Sequence, residues 1–261
     1  MEGVAYTSRL GAGLGLLQET DSLLDLWRPG MSSPELYSVA LQSGAFPNMS
    51  ARRLKDVVTE GFASRYLVRN GDPASWIKEL RSVVTARDMR QTLLIFTARA
   101  HQILNDFITK VYWSSYSAGQ STLERSDSSR FVERANQDGK TTTKWSDTTV
   151  RRVASYLIGC CVDFGLLEPT QEKDSFRFSD FRVTAGTALV LAHELHFDGK
   201  GDNAVVSHSD WLLFGMEQAD VIEQFRQLML DGHLVVQSAG GVVNVGWKYQ
   251  NMQEVIDAIG R

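Results

Sequence analysis

The run Ser146-Asp147-Thr148-Thr149-Val150-Arg151-Arg152, with the residues that follow it, constrains the fold of this chain more than any other stretch. Val150, Val153, Ala154, Leu157, Ile158 and Cys161 fall at i, i+3, i+4, i+7, i+8 and i+11, the spacing of a helix with one buried stripe. Ser146 or Asp147 can cap its start by accepting a hydrogen bond from a free first-turn N–H. Away from the stripe, the leading turns carry Thr148, Arg151, Arg152 and Ser155. The helix should close at Asp163-Phe164-Gly165-Leu166-Leu167, and a strand is expected over 174–182. A helix with a basic leading end, followed by a short β-ribbon, is the outline of a winged helix-turn-helix. Such a fold offers the leading end of its second helix to a nucleic-acid groove.

The stretch 122–137 reads as the preceding helix. The polar turn between the two, Asp138-Gly139-Lys140-Thr141-Thr142-Thr143-Lys144, supplies donors for phosphate oxygens. A second helix-turn-helix outline lies upstream. Ser33-Pro34-Glu35 is a helix start, with Ser33 at the cap, and that helix runs to about Gln42. Ser50 then caps a longer helix with the stripe Leu54, Val57, Val58, Gly61 and Phe62, whose outer leading face carries Arg52, Arg53 and Lys55. Cations at a helix start oppose its dipole at a cost of a few tenths of a kcal/mol. A phosphate would relieve that conflict, and a solvated arginine face is the plainer alternative.

Elsewhere the periodicity predicts helices over 19–27, 72–84 and 87–113. The last is a long apolar helix whose terminal Tyr112, Trp113 and Tyr116 read as core. Residues 183–195 suit helix or strand, and Ser209 or Asp210 caps a short helix. An amphipathic helix follows over 217–230, then a hairpin from 233–237 and 242–247 across Ser238-Ala239-Gly240-Gly241, and a closing helix over 252–259. The expected class is mainly α with small β. A helical N-terminal domain containing a helix-turn-helix spans 1–120, a winged-helix module 121–182, and an acidic α+β module 183–261.

The net charge of −4 argues mildly against nucleic acid until it is located. Residues 1–166 hold 20 Lys+Arg against 17 Asp+Glu, whereas 167–261 hold 7 against 14. A local basic face governs binding, not the total. The apolar stretches 153–167 and 185–195 fall short of the roughly 18–20 residues that cross a bilayer. No basic segment with an apolar successor opens the chain, so a cytoplasmic location is expected. Cys160 and Cys161 are neighbours on one helix and read as small buried residues, neither a disulfide framework nor a metal knuckle. The Gly-x-Gly-x-Gly string over 11–15 lacks the preceding strand and the following Lys-Ser of a phosphate loop. His193-Glu194-Leu195-His196 places its histidines at i and i+3, not the i and i+4 of a zinc helix. No nucleophile elbow or paired acidic cluster is present. The expectation is a protein that is not an enzyme, with no cofactor, metal, membrane or small-molecule substrate.

Tyr6-Thr7-Ser8-Arg9-Leu10, Leu16-Leu17-Gln18-Glu19-Thr20, Ser50-Ala51-Arg52-Arg53-Leu54 and the run from Trp145 through Leu157 resemble the BrxA family, the small component of bacteriophage exclusion (BREX) systems. Asp163-Phe164-Gly165-Leu166-Leu167-Glu168 extends the likeness. The resemblance implies helical and winged-helix parts and a DNA-binding accessory role in a phage-defence locus; it brings no catalytic residues. The residues expected to contact double-stranded DNA are Lys140, Lys144, Thr148, Arg151 and Arg152 at one helix, Arg52, Arg53 and Lys55 at the other, and Arg177 on the wing. The competing classes are a scaffold that docks other defence components and an RNA-binding protein.

Overall fold

A computed structural model describes residues 5–12 and 16–260. A 3₁₀ turn (Ser8–Ala12) precedes α1 (Leu17–Leu26), α2 (Ser33–Gln42) and α3 (Ala51–Asp56). α3 runs on as a π-helical stretch (Val57–Ala63) and a last turn (Ser64–Tyr66). α4 (Asp72–Leu80) and α5 (Ala86–Ala100) follow. Next comes α6 (Gln102–Phe107), itself prolonged by π-helical Ile108–Tyr112 and by Trp113–Ser117. Then come β1 (Thr122–Glu124), α7 (Arg125–Gln137), α8 (Asp147–Asp163), β2 (Leu167–Pro169) and β3 (Ser175–Phe178). The chain ends with α9 (Ala185–Phe197), α10 (Asp202–Val206), a 3₁₀ turn (Ser209–Phe214), α11 (Gln218–Leu230), β4 (Leu234–Ala239), β5 (Val242–Trp247) and α12 (Met252–Ile259).

The fold is thus mainly helical with two small antiparallel sheets, one of order β1-β3-β2 and one of order β4-β5. It divides into two compact units: the described part of 1–75 with 96–181, and 76–95 with the described part of 182–261. Among the described residues no helix is long and apolar enough to cross a membrane.

In the first unit α8 forms where its stripe requires. Val150, Val153, Ala154, Leu157, Ile158 and Cys161 are all buried, each large apolar side chain contributing about 1.5–3 kcal/mol over its exposed state. Ser146 Oγ accepts from Thr149 N at 3.3 Å and caps the start. Gly165, at φ +82°, ends the helix as Leu166 N donates back to Cys161 O at 2.8 Å. α7 packs along α8. In α3 the stripe holds as well: Leu54, Val57, Val58, Gly61 and Phe62 are buried. A Cβ at Gly61 would stand 2.5 Å from Leu16 Cδ1, so glycine leaves room for that leucine.

Several expectations are corrected. The helix predicted over 87–113 is broken at His101 (φ −130°, ψ 88°) with no Gly or Pro to announce it. His101 is buried, and neither ring nitrogen has a hydrogen-bond partner among the described residues. Burial, then the Arg65 and Arg9 charges, push its pKa down to about 3. Residues 122–124 form a strand, not a helix start, because Leu123 pairs with Phe176 across the sheet. Ser32, not Ser33, caps α2, where its backbone N donates to Glu35 Oε2 at 2.8 Å. The strand expected over 174–182 contracts to Ser175–Phe178, and β2 is an addition.

In the second unit 185–197 is a helix, capped by Thr184 Oγ1 accepting from Thr187 N at 3.2 Å. It is buried from Thr187 through Leu195, so no period-3.6 contrast shows in its sequence. The hairpin turn is only Gly240-Gly241 (φ +59° and +81°), the left-handed pair that a two-residue turn demands. Asp202 and Asn203 of α10 cover the outer edge of β5, accepting from Val245 N at 2.8 Å and Val243 N at 3.0 Å. His193 Nδ1 bonds Leu189 O at 3.0 Å, and His196 stacks on Trp247 at 4.3 Å. Among the described residues no group of three or more His, Cys, Asp or Glu stands ready for a metal ion. Cys160 and Cys161 are free and buried, and burial pushes the Cys160 thiol up to about 12. Of the glycine string, 13–15 lie outside the described residues.

Candidate nucleic-acid interface

The leading end of α8 presents Thr148, Arg151 and Arg152 to solvent, with Ser155 half-buried one turn on, along one helix face. Arg151 Nε leans on Asp147 O at 3.4 Å, and Ser155 Oγ donates to Arg151 O at 3.1 Å. Among the described residues Lys144, Arg151 and Arg152 make no ion pair. The Lys140 ammonium pairs with Asp138 at 3.6 Å on an exposed surface. Such a pair is worth about 0–1 kcal/mol and yields readily to a phosphate.

The turn that carries Lys140 and Lys144 is held from two sides. Asn136 Oδ1 accepts from Trp145 N (2.8 Å) and Thr141 Oγ1 (3.2 Å), while its Nδ2 donates to Trp145 O (3.0 Å). From far upstream, Tyr6 forms a parallel bridge to Thr141. Tyr6 N donates to Lys140 O at 2.7 Å, and Thr142 N donates to Tyr6 O at 3.0 Å. The Tyr6 hydroxyl donates to Asp106 Oδ2, and Asp106 is further held by Gln102 Nε2 and Lys110 Nζ, both at 2.9 Å. Burial would raise the Asp106 pKa, but hydrogen bonds from Lys110, Tyr6 and Gln102 outweigh it and hold the carboxyl below its ordinary range.

Arg52 and Lys55 are exposed on α3 and Arg53 is half-buried. Ser50 Oγ accepts from Arg53 N at 3.3 Å. The Ser8–Ala12 turn packs against both α8 and the π-helical continuation of α3, where Arg9 pairs with Glu60 at 3.4 Å. Arg177 is placed differently. It lies on β3 opposite Glu168 in register, and its guanidinium is already bonded to that carboxylate.

Arg125, at the start of α7, carries no signal in the sequence beyond its charge. Its Nε bonds Asp174 Oδ1 at 2.6 Å, its Nη1 reaches Ser155 Oγ at 3.2 Å, and its guanidinium lies 5.6 Å from the Phe176 ring centre. It therefore ties the β-ribbon to the exposed face of α8. Tyr112 is fully buried against Phe178 (5.1 Å), whereas Tyr116 remains 41% exposed. Counted over the sequence of 1–75 and 96–181, the first unit carries 18 Lys+Arg against 19 Asp+Glu. The basic character is thus local to the helix starts and the turn, not a property of the unit.

The family model described as BrxA matches residues 4–177. By structure the chain is similar to the crystal structure of an uncharacterized protein from Magnetospirillum magneticum, with a TM-score of 0.58 and 15% sequence identity over 74% of this chain and 95% of that one. At that identity the likeness speaks to fold alone. No curated protein matches the chain by sequence.

Proposed function

The chain belongs to the BrxA family, and from that premise we propose that it is a double-stranded-DNA-binding accessory of a BREX phage-defence system, acting in the cytoplasm without catalysis. The observation that carries the reading is the exposed basic end of α8, without an ion pair among the described residues, beside a pinned turn bearing Lys140 and Lys144. The succession β1-α7-α8-β2-β3, with sheet order β1-β3-β2, supports a winged helix whose α8 faces the major groove. Lys140, Lys144, Thr148, Arg151 and Arg152 contact phosphates in this reading, and Arg52, Arg53 and Lys55 form a second contact set on α3. Arg177 contributes least, because DNA must first compete with Glu168 for it. Phosphate contact fixes register, while base reading needs bidentate geometry at base edges.

The test is a salt titration of binding to a labelled random duplex by fluorescence anisotropy, with duplex RNA as competitor. Binding that weakens steeply with salt and resists RNA competition supports the reading. Equal competition favours RNA, and no binding at low salt refutes both. Leu230 (76% exposed), Val235 (52%) and Val242 (54%) favour a second reading, in which the second unit docks another defence component.

A further inference from the structure

We propose that residues 5–10 are a strap that sets the geometry of the basic turn, with Tyr6 a positioning residue for the phosphate contacts of Lys140 and Lys144. The inference rests on the DNA-binding reading above. Residues 138–144 include no large apolar side chain, and Gly139 sits at φ +71°. Such a segment has little of its own to order it, and each freely rotating residue dilutes the binding-competent arrangement. The strap supplies what the turn lacks. The bridge to Tyr6 gives residues 140–142 the alternation of a strand, with Thr141 buried and Lys140 and Thr142 directed to solvent.

Tyr6 is fixed independently of the turn it holds. Its hydroxyl ends on Asp106, and its ring lies 6.2 Å from Phe131, which in turn packs on Phe107 at 5.6 Å. Burial, followed by the hydrogen bond to Asp106, raises the pKa of the Tyr6 hydroxyl and keeps it a donor. The lysine positions are therefore referenced to α6 through Tyr6, which lies 100 residues before Asp106 in sequence. Asn136 and Trp145 fix the far end of the turn against α7. Lys140 and Lys144 are consequently presented from an ordered backbone, which spares DNA binding the cost of arranging it.

The test compares Tyr6→Ala, Tyr6→Phe and Asp106→Asn with Lys140→Ala/Lys144→Ala, in the wild-type and Tyr6→Ala backgrounds. DNA affinity is read across a salt series, and tryptic cleavage after Lys140 and Lys144 is followed in parallel. The expected result for Tyr6→Ala is an affinity loss of about tenfold (about 1.4 kcal/mol). Its salt slope should be shallower by about 1–2, with faster cleavage and little further loss on adding the lysine substitutions. Tyr6→Phe and Asp106→Asn should move the slope the same way by less, and they carry the test if Tyr6→Ala fails to fold by circular dichroism. A loss of affinity with unchanged slope, the lysine substitutions still subtracting their full effect, would mark a merely less folded protein and overturn the strap. So would wild-type binding in all three variants. A wild-type protein that shows no salt-dependent binding overturns the DNA reading itself, and the inference with it.

Discussion

The starts of α3 and α8 share a signature and differ in support. Each has a serine cap in extended backbone, Ser50 and Ser146, accepting from the third residue on at 3.3 Å, and each carries an arginine pair in its leading turns. The turn before α3 is held by its own neighbours, with Ala45 N on Ser43 Oγ and Met49 N on Phe46 O, both at 3.1 Å. The turn before α8 is held by Tyr6 and Asn136. α3 also gives way to π-helix after Asp56, whereas α8 continues regularly for 17 residues. The lesson is that a shared capping signature specifies a helix start without specifying how rigidly that start is presented.

The comparison breaks most visibly in the core. Leu157→Ala in α8 and Leu54→Ala in α3 remove side chains that are 0% and 2% exposed, and each should lower unfolding free energy by about 2–5 kcal/mol in urea denaturation. A cost below about 1 kcal/mol at either would show that helix to be loosely seated. Binding comes next. Arg151→Ala/Arg152→Ala should weaken affinity on the order of 50-fold near 0.1 M salt and flatten the slope by about 2. Arg52→Ala/Arg53→Ala should cost less, under about tenfold, because Arg53 is half-buried where Arg151 and Arg152 are both exposed, and equal losses would erase that distinction.

Acid should act on both starts together. The unfolded chain protonates His101 near its ordinary 6.5, while the folded chain holds it neutral down to about 3. Between those values the unfolded state binds more protons, so stability falls as pH drops, by up to about 2 kcal/mol at pH 5. His101→Leu should flatten the dependence of Tm on pH over that range. A wild-type Tm that stays level from pH 6.5 to 4 would contradict the neutral burial. The smallest effect separates stability from presentation. Ser146→Ala and Ser50→Ala should each cost about 1 kcal/mol in stability, yet only Ser146→Ala should measurably weaken DNA binding in the anisotropy assay.

α8 was legible because cap, stripe and glycine stop all lie within twenty residues of one another. β1 was not, since Thr122-Leu123-Glu124 is too short to display alternation and is a strand only because β3 lies beside it. The break at His101 and the π-helical stretch Ile108–Tyr112 carry no Gly or Pro to mark them, and the single Gly61 within Val57–Ala63 does not by itself announce a π-helix; packing decides them. The lysines and arginines of the candidate interface were legible as charges, but their availability was not. Arg177 is bonded because Glu168 stands opposite it in register, and Arg125 ties Asp174, just ahead of β3, to Ser155 of α8. Those are tertiary facts, as is the hold of Tyr6 on a turn that follows it by more than 130 residues.

The paired cysteines of α8 carry a practical consequence. Thiol reagents attack the thiolate. Cys160 and Cys161 are both fully buried, and burial, joined at Cys161 by the Cys160 charge, holds both thiols above their ordinary value. A folded molecule is therefore silent toward a chromogenic disulfide, and colour develops only as α8 leaves its seat. Read at increasing reagent concentration, the reaction rate becomes a stopwatch for native-state opening, built into the chain with no introduced label.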